Sequence, residues 1–435
     1  MARKMKDSGI EWIGEIPEGW EITRLKYLAD FEPTCDTSSL TDESKITYTP
    51  MECVKNGGFE NRSALYGNLS HTLTPFQNGD IAMAKVTPCF ENGNIAIMDN
   101  LFSGFGLGSS ELFIFRPKSI STRYFFYWLQ NKAFVARACS TMIGTGGLKR
   151  ISPSFIRNCP VHCPSTDEQT KISDYLDAKC SEIDDLLTSV RSSIEEYKKL
   201  KQAVITQAVT KGVHGNREMK DSGVAWIGEI PKEWSVSPMK HFIDILPGYA
   251  FSSDDFCIEE GIPLLRGINV GVNEIRWDET VRWNHSISKQ LESFFLKEND
   301  LVVGLDRPWI SDGTRVAFIS KKDLPCLLLQ RVCRIRTRCN FDIRWIYYWL
   351  SGSSFKDSLS TETTGISVPH ISTKQIEQFI VAFPNLLEQT QVCNYLDAKC
   401  AEIDGLIAKK EQLVKELESY KKSLIYEVVT GKREV

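Results

Sequence analysis

The chain has 435 residues, 42% of them hydrophobic and 25% charged, which excludes a disordered or collagen-like protein and, since one core rarely grows past roughly 250–300 residues, calls for two or more domains. No apolar run approaches the ~18–20 residues a membrane helix needs, the N-terminus lacks the apolar stretch of a secretory signal, and thirteen scattered cysteines without a C-x-x-C pair read as reduced thiols of a cytoplasmic protein. A formal net charge of −4 argues against a chain that grips nucleic acid unaided.

In chain order, the first element is a scaffold segment, residues 1–20, containing MKDSGIEWIGEIPEGW at 5–20. It returns as MKDSGVAWIGEIPKEW at 219–234, with Asp7, Gly9, Trp12, Pro17 and Trp20 recurring as Asp221, Gly223, Trp226, Pro231 and Trp234. Residues 21–165 form a first insert of short alternating runs broken by turns at Asn56-Gly57-Gly58 and Asn78-Gly79-Asp80. The pattern predicts a mixed α/β domain with its own core. Within it Phe102–Gly106 spell F-x-G-x-G, a loop that methyltransferases use to approach S-adenosylmethionine. No D/N-P-P-Y/F tetrad follows, and Pro88-Cys89 precedes the loop, so the plain expectation is a turn between strands. An aromatic helix comes next at 123–131, and Tyr124, Phe125, Tyr127 and Trp128 read as core. Then Gly144, Gly146 and Gly147 precede Lys149 and Arg150, a loop able to approach a phosphate backbone. Cys159, His162 and Cys163 cluster, but a fourth ligand and zinc-like pair spacing are missing.

Residues 166–215 hold a helix, free of proline and glycine from Glu168 to Thr210. Leu176, Ile183, Val190, Tyr197 and Val204 fall on one heptad position, and EQTKISDYLDAKCSEIDDL at 168–186 returns as EQTQVCNYLDAKCAEIDGL at 388–406. The second copy, in 386–435, places Leu396, Ile403, Lys410, Leu417 and Leu424 on the same position. This is a coiled-coil seam, and the natural partner of each helix is the other, giving the chain an internal pseudo-twofold repeat. Lys201 and Lys421 sit at one equivalent core position, either fixing register or snorkelling outward. Gly212 and Gly215 stop the first helix.

Residues 216–385 carry the second scaffold segment and a second insert with the same style of strands and an aromatic helix at 344–352, followed by Thr363, Thr364 and Gly365. Arg331, Arg334, Arg336 and Arg338 lie in QRVCRIRTR, the last three alternating onto one strand face, and stand with Lys149 and Arg150 as candidate DNA contacts. No G-x-x-x-x-G-K-[ST] loop and no convincing nucleophile–base arrangement exists, so no catalytic, cofactor or metal residue is assigned.

The paired DSGIEWIGEIPEGW and DSGVAWIGEIPKEW segments, the paired EQ…YLDAK…EID helices and the order insert–helix–insert–helix resemble the specificity subunit of type I restriction–modification systems over essentially the whole chain. NGDIAMAKVTPCFENGN with GFGLGSSELFIFRP, and GIPLLRGINV with NDLVVGLDRPW, are similar to recognition domains of that family. The resemblance implies an α+β protein with two mixed α/β target recognition domains separated by two long antiparallel helices forming a coiled coil. Each domain would read one half of a split sequence in double-stranded DNA. Two methyltransferase subunits and two motor-nuclease subunits would hold S-adenosylmethionine, ATP and Mg, with no cofactor in this chain and no membrane. The rival expectations are a DNA methyltransferase with unusual motif order and a coiled-coil adaptor that binds proteins only.

Overall fold

The computed structural model describes all residues except 1, 2, 56, 71, 146, 311, 312, 339, 340 and 361–369. The turn residue Asn56, the loop residue Gly146, and Thr363, Thr364 and Gly365 therefore lie outside the described residues. The chain divides into two compact units, Met1–Arg191 with Glu411–Val435, and Ser192–Lys410. The division differs from the linear domains expected, because each long helix, Thr166–Lys211 and Leu386–Val429, is cut between the units.

In the first unit the scaffold segment is a hairpin, Met5–Asp7 against Glu15–Pro17, that leads Trp20 into the core. The insert carries two four-stranded sheets. One runs in the order Ile95–Met98, Asp80–Ala84, Leu112–Pro117, Ala29–Phe31, all antiparallel. The other runs Arg62–Leu65, Lys45–Thr49, Phe105–Gly108, Thr74–Gln77, with the middle pair parallel. The second unit repeats the hairpin as Met219–Asp221 against Glu229–Pro231. Its main sheet, Val316–Phe318, Leu301–Gly304, Val332–Thr337, Ile243–Pro247, has the same order and directions. Even the register recurs. Ile81 faces Phe115 in the first unit and Leu301 faces Ile335 in the second, both pairs separated by the same offset that takes Glu168 to Glu388. The two inserts thus share a fold that their side chains hardly advertise.

The aromatic helices, Thr122–Leu129 and Ile343–Ser351, start on Ser121 and Asp342, whose side chains accept backbone N–H groups of the first turn. Tyr124, Phe125, Tyr127 and Trp128 are buried as expected. The core they enter is not the insert's alone. In the first unit they pack with Ile172, Leu176, Cys180, Ile183 and Leu187 of the first long helix and with Leu424, Ile425, Val428 and Val429 of the second. In the second unit Trp345, Tyr348 and Trp349 pack with Ile205, Ala208, Val209, Val392 and Leu396. The expectation of a self-contained core fails because a short helix so rich in aromatics exposes too much apolar surface for one small sheet to cover. Smaller clusters, such as Phe76 with Ala82, Met98 and Ile114, do belong to the insert alone.

Where helix ends meet an insert, the seam residues Leu176, Ile183, Leu396, Ile403 and Leu424 are buried. Val190, Tyr197, Val204, Lys410 and Leu417 are only half-buried. Lys201 Nζ lies 2.7 Å from both Asp404 carboxylate oxygens, and Lys421 Nζ makes the equivalent pair with Asp184. Both lysines are thus held by a carboxylate of the facing helix within their own unit. Among the described residues no helix is long and apolar enough to cross a membrane.

Candidate nucleic-acid interface

In each insert three segments meet at one corner beside the end of a central strand. In the first unit, Asp80–Ala84 runs into Lys85, whose N–H bonds Glu111 O at 3.0 Å and whose carbonyl accepts Ile151 N–H at 3.0 Å. In the second, Leu305 N–H bonds Arg331 O and its carbonyl accepts Ile371 N–H, both at 2.9 Å. Val86 bridges Arg150, and Asp306 bridges His370. One constant offset relates every one of these positions to its counterpart, so the backbone frame is the same and the side chains differ.

In the first unit the corner carries an exposed loop. Ile143 and Arg150 exchange both backbone hydrogen bonds, at 3.0 and 2.9 Å, so the two ends of the loop pair. Thr87 Oγ1 donates to Gly147 O at 2.7 Å and accepts Lys149 N–H at 2.9 Å, so the loop is pinned at its base. Gly144 is required there, because a Cβ would lie 2.3 Å from Leu148 O. The loop presents Lys149 to solvent, with Ile143 and Leu148 at 76% and 57% exposure. Arg150 turns back to Glu111 in a two-pronged pair at 2.9 and 2.7 Å, which holds the Glu111 carboxyl below its ordinary range.

In the second unit Arg331, at φ 70°, exposes 61% of its side chain, with one long contact to Asp306 at 3.5 Å. His370 Nδ1 lies 2.6 Å from the same carboxylate. The other candidate arginines go elsewhere. Arg334 takes the sheet position of the buried Ile114, leaves 8% of its side chain exposed, and pairs with Asp244 at 3.1 Å. Arg336 shares its strand face but grips the buried Asp300 at 2.5 and 2.7 Å. Arg338 is exposed beyond the far end of Val332–Thr337, about 20 Å of strand from Arg331. The four arginines therefore do not form one reading face.

Two motifs that hinted at chemistry have packing roles. Phe102–Gly104 is a single turn between the strands Ile95–Met98 and Phe105–Gly108, and a Cβ on Gly106 would meet the Phe76 ring at 2.3 Å. His162 lies in the strand Pro160–Cys163, fully enclosed, with Nε2 2.7 Å from Val429 O. Among the described residues no group of three or more His, Cys, Asp or Glu is placed to hold a metal ion.

The type I restriction modification DNA specificity domain matches this chain twice, at residues 17–196 and 231–416. The EcoAI specificity subunit of Escherichia coli is 30% identical, covering 92% of this chain and 81% of that protein. The MjaVIII specificity subunit of Methanocaldococcus jannaschii is 27% identical, covering 96% and 93%. A solved chain from work on assembly and conformational transition of the type I R-M system has a TM-score of 0.72 at 16% identity, covering 96% of this chain and 99% of that one. The chain belongs to the type I restriction–modification specificity subunits, with one DNA specificity domain for each of its two inserts.

Proposed function

We infer that the chain is the DNA-reading subunit of a type I restriction–modification complex, in which each insert reads one half of a bipartite sequence and other subunits act on the DNA. The observation that carries this reading is the recurrence of one backbone corner, register for register, with different side chains on it. A duplicated frame presenting different groups suits two different half-sites. Lys149 on its pinned loop and Arg331 at its corner are exposed cations that would meet DNA, while Arg150 shapes its corner through Glu111. The long helices pair as an antiparallel coiled coil that spaces the two inserts. Two methyltransferase and two motor-nuclease subunits assemble on the chain, bringing S-adenosylmethionine, ATP and Mg, and catalysis belongs to them. The packing role of Gly106 supports this division over a methyltransferase reading of the same loop. The complex works in the cytoplasm, where the free cysteines stay reduced.

The test is to exchange residues 21–150 for the equivalent insert of a related subunit and to sequence the methylated motif. One half of the motif changes and the other stays. A change in both halves, or in neither, overturns the assignment.

A further inference from the structure

The second insert holds a basic cluster in which, among the described residues, only Arg276 is paired with a carboxylate. After the strand Leu301–Gly304 the chain loops out and returns, with Arg315 N–H bonded to Pro308 O at 2.7 Å and Gly304 N–H to Arg315 O at 2.9 Å. This brings Arg307 and Arg315 onto one short loop. A neighbouring loop is tied to it by Asn273 N–H to Val316 O at 2.9 Å, and it carries Arg276. Arg307 stands exposed at φ 45°. Among the described residues neither Arg307 nor Arg315 has a carboxylate partner, while Arg276 shares Glu274. Arg315 Nε is enclosed and has no acceptor. Burial, and then the charges of Arg276 and Arg307, make Arg315 easier to deprotonate than an ordinary arginine. A buried donor without an acceptor forfeits its hydration with nothing in return, and crowded like charges add to that cost, so the cluster is poised for an anion.

We propose that Arg276, Arg307 and Arg315 form a phosphate site that takes a backbone phosphodiester of DNA beside the half-site read by the second insert. The proposal rests on the DNA-reading assignment above. Guanidinium forks match phosphate oxygens in pairs, and an anion there gives the enclosed Nε its acceptor. The site is one-sided: the equivalent positions of the first insert hold Asn56, Thr87 and Ile95, none of them basic. The second half-site is therefore the one anchored by this contact, and the contact carries affinity without sequence information.

The experiment uses the full chain with its methyltransferase subunits on a duplex bearing the methylated motif. Affinity is measured across a salt series for the parent, Arg307→Asn and Arg315→Gln. Asparagine tolerates the left-handed backbone at 307, so that variant folds even if the change at 315 disturbs packing. Each variant loses affinity, and the slope of log affinity against log salt becomes shallower by ~1 per lost phosphate contact, with the motif unchanged. A scan of single neutral methylphosphonates locates the site: one position in the second half-site weakens the parent and no longer weakens Arg307→Asn. An unchanged slope in both variants overturns the proposal. So does a changed motif, which would make these arginines base readers, and so does binding of inorganic phosphate to the cluster with no effect on the DNA slope. Failure of the parent complex to bind any duplex would instead defeat the DNA-reading assignment itself.

Discussion

His162 shows what one enclosed side chain does to the pH range of the molecule. Its Nε2–H is spent on Val429 O at the end of the second long helix, its ring stacks on Trp20, and its Nδ1 is buried with no partner. A proton added at Nδ1 would be a buried charge without an acceptor, and burial lowers the pKa from 6.5 to about 4. The unfolded chain takes that proton near pH 6.5 and the folded chain refuses it until about pH 4. Stability from this group is therefore complete above about pH 6.5 and drains away as pH falls towards 4, by about 3 kcal/mol in total. Urea unfolding of the first unit at pH 7.5 and pH 4.5 checks it. His162→Gln, which keeps a donor for Val429 O and cannot ionise there, should lose less stability on acidification than the parent. Cys159, His162 and Cys163 cluster in the sequence without zinc-like pair spacing, and that proximity could not say where the ring nitrogens point. Conversely, a signal at Arg336 was present and easy to miss. The pair of Asp80 with Arg116 recurs, at equivalent positions of the second insert, as Asp300 with Arg336. Each aspartate also accepts the N–H three residues before it, Gln77 or Lys297, so the pair locks a turn to the sheet. Matching charged residues across two otherwise unlike inserts signal a shared internal bond rather than a DNA contact.

At the scale of elements, the long helices and the aromatic helices were legible because apolar periodicity reports burial directly. The heptad read less well towards the middle of the long helices, where Val190, Tyr197 and Lys410 stay half-buried. The loop before Lys149 was legible from its glycines, but the corner it joins was not, since its register depends on hydrogen bonds between segments well separated in the chain, such as Lys85 with Glu111 and with Ile151. The second helix also runs straight through Gly405, where the first copy has Asp185. That glycine is exposed, and an added Cβ would meet nothing within 4 Å. Glycine in a helix interior is about 0.8–1 kcal/mol worse than alanine. Gly405→Ala should therefore stabilise the second unit by about 1 kcal/mol, read as a higher urea midpoint at unchanged slope. A neutral or destabilising result would mean that this stretch gains from being loose.

At the scale of the whole molecule, the first unit joins two stretches of chain, Met1–Arg191 and Glu411–Val435, the second is the continuous stretch Ser192–Lys410, and both long helices are shared by the two units. Neither helix is interrupted where the units divide, after Arg191 and after Lys410. If the paired helices set the distance between the half-sites, inserting one heptad at both points keeps the seam aligned and adds ~10 Å, at ~1.5 Å per residue. Duplex DNA rises ~3.4 Å per base pair, so the matching change in spacer is about 3 base pairs. Those base pairs also turn the far half-site by roughly 100°, given ~10–10.5 per turn, whereas the coiled coil turns far less over one heptad. The doubly extended chain should therefore prefer a longer spacer and bind it more weakly, because the DNA must twist to restore both docking faces. Extending one helix alone breaks the seam and should cost far more. A spacer library read out by adenine methylation decides it. Full activity of the doubly extended chain at the original spacer would show that the helices are not the ruler.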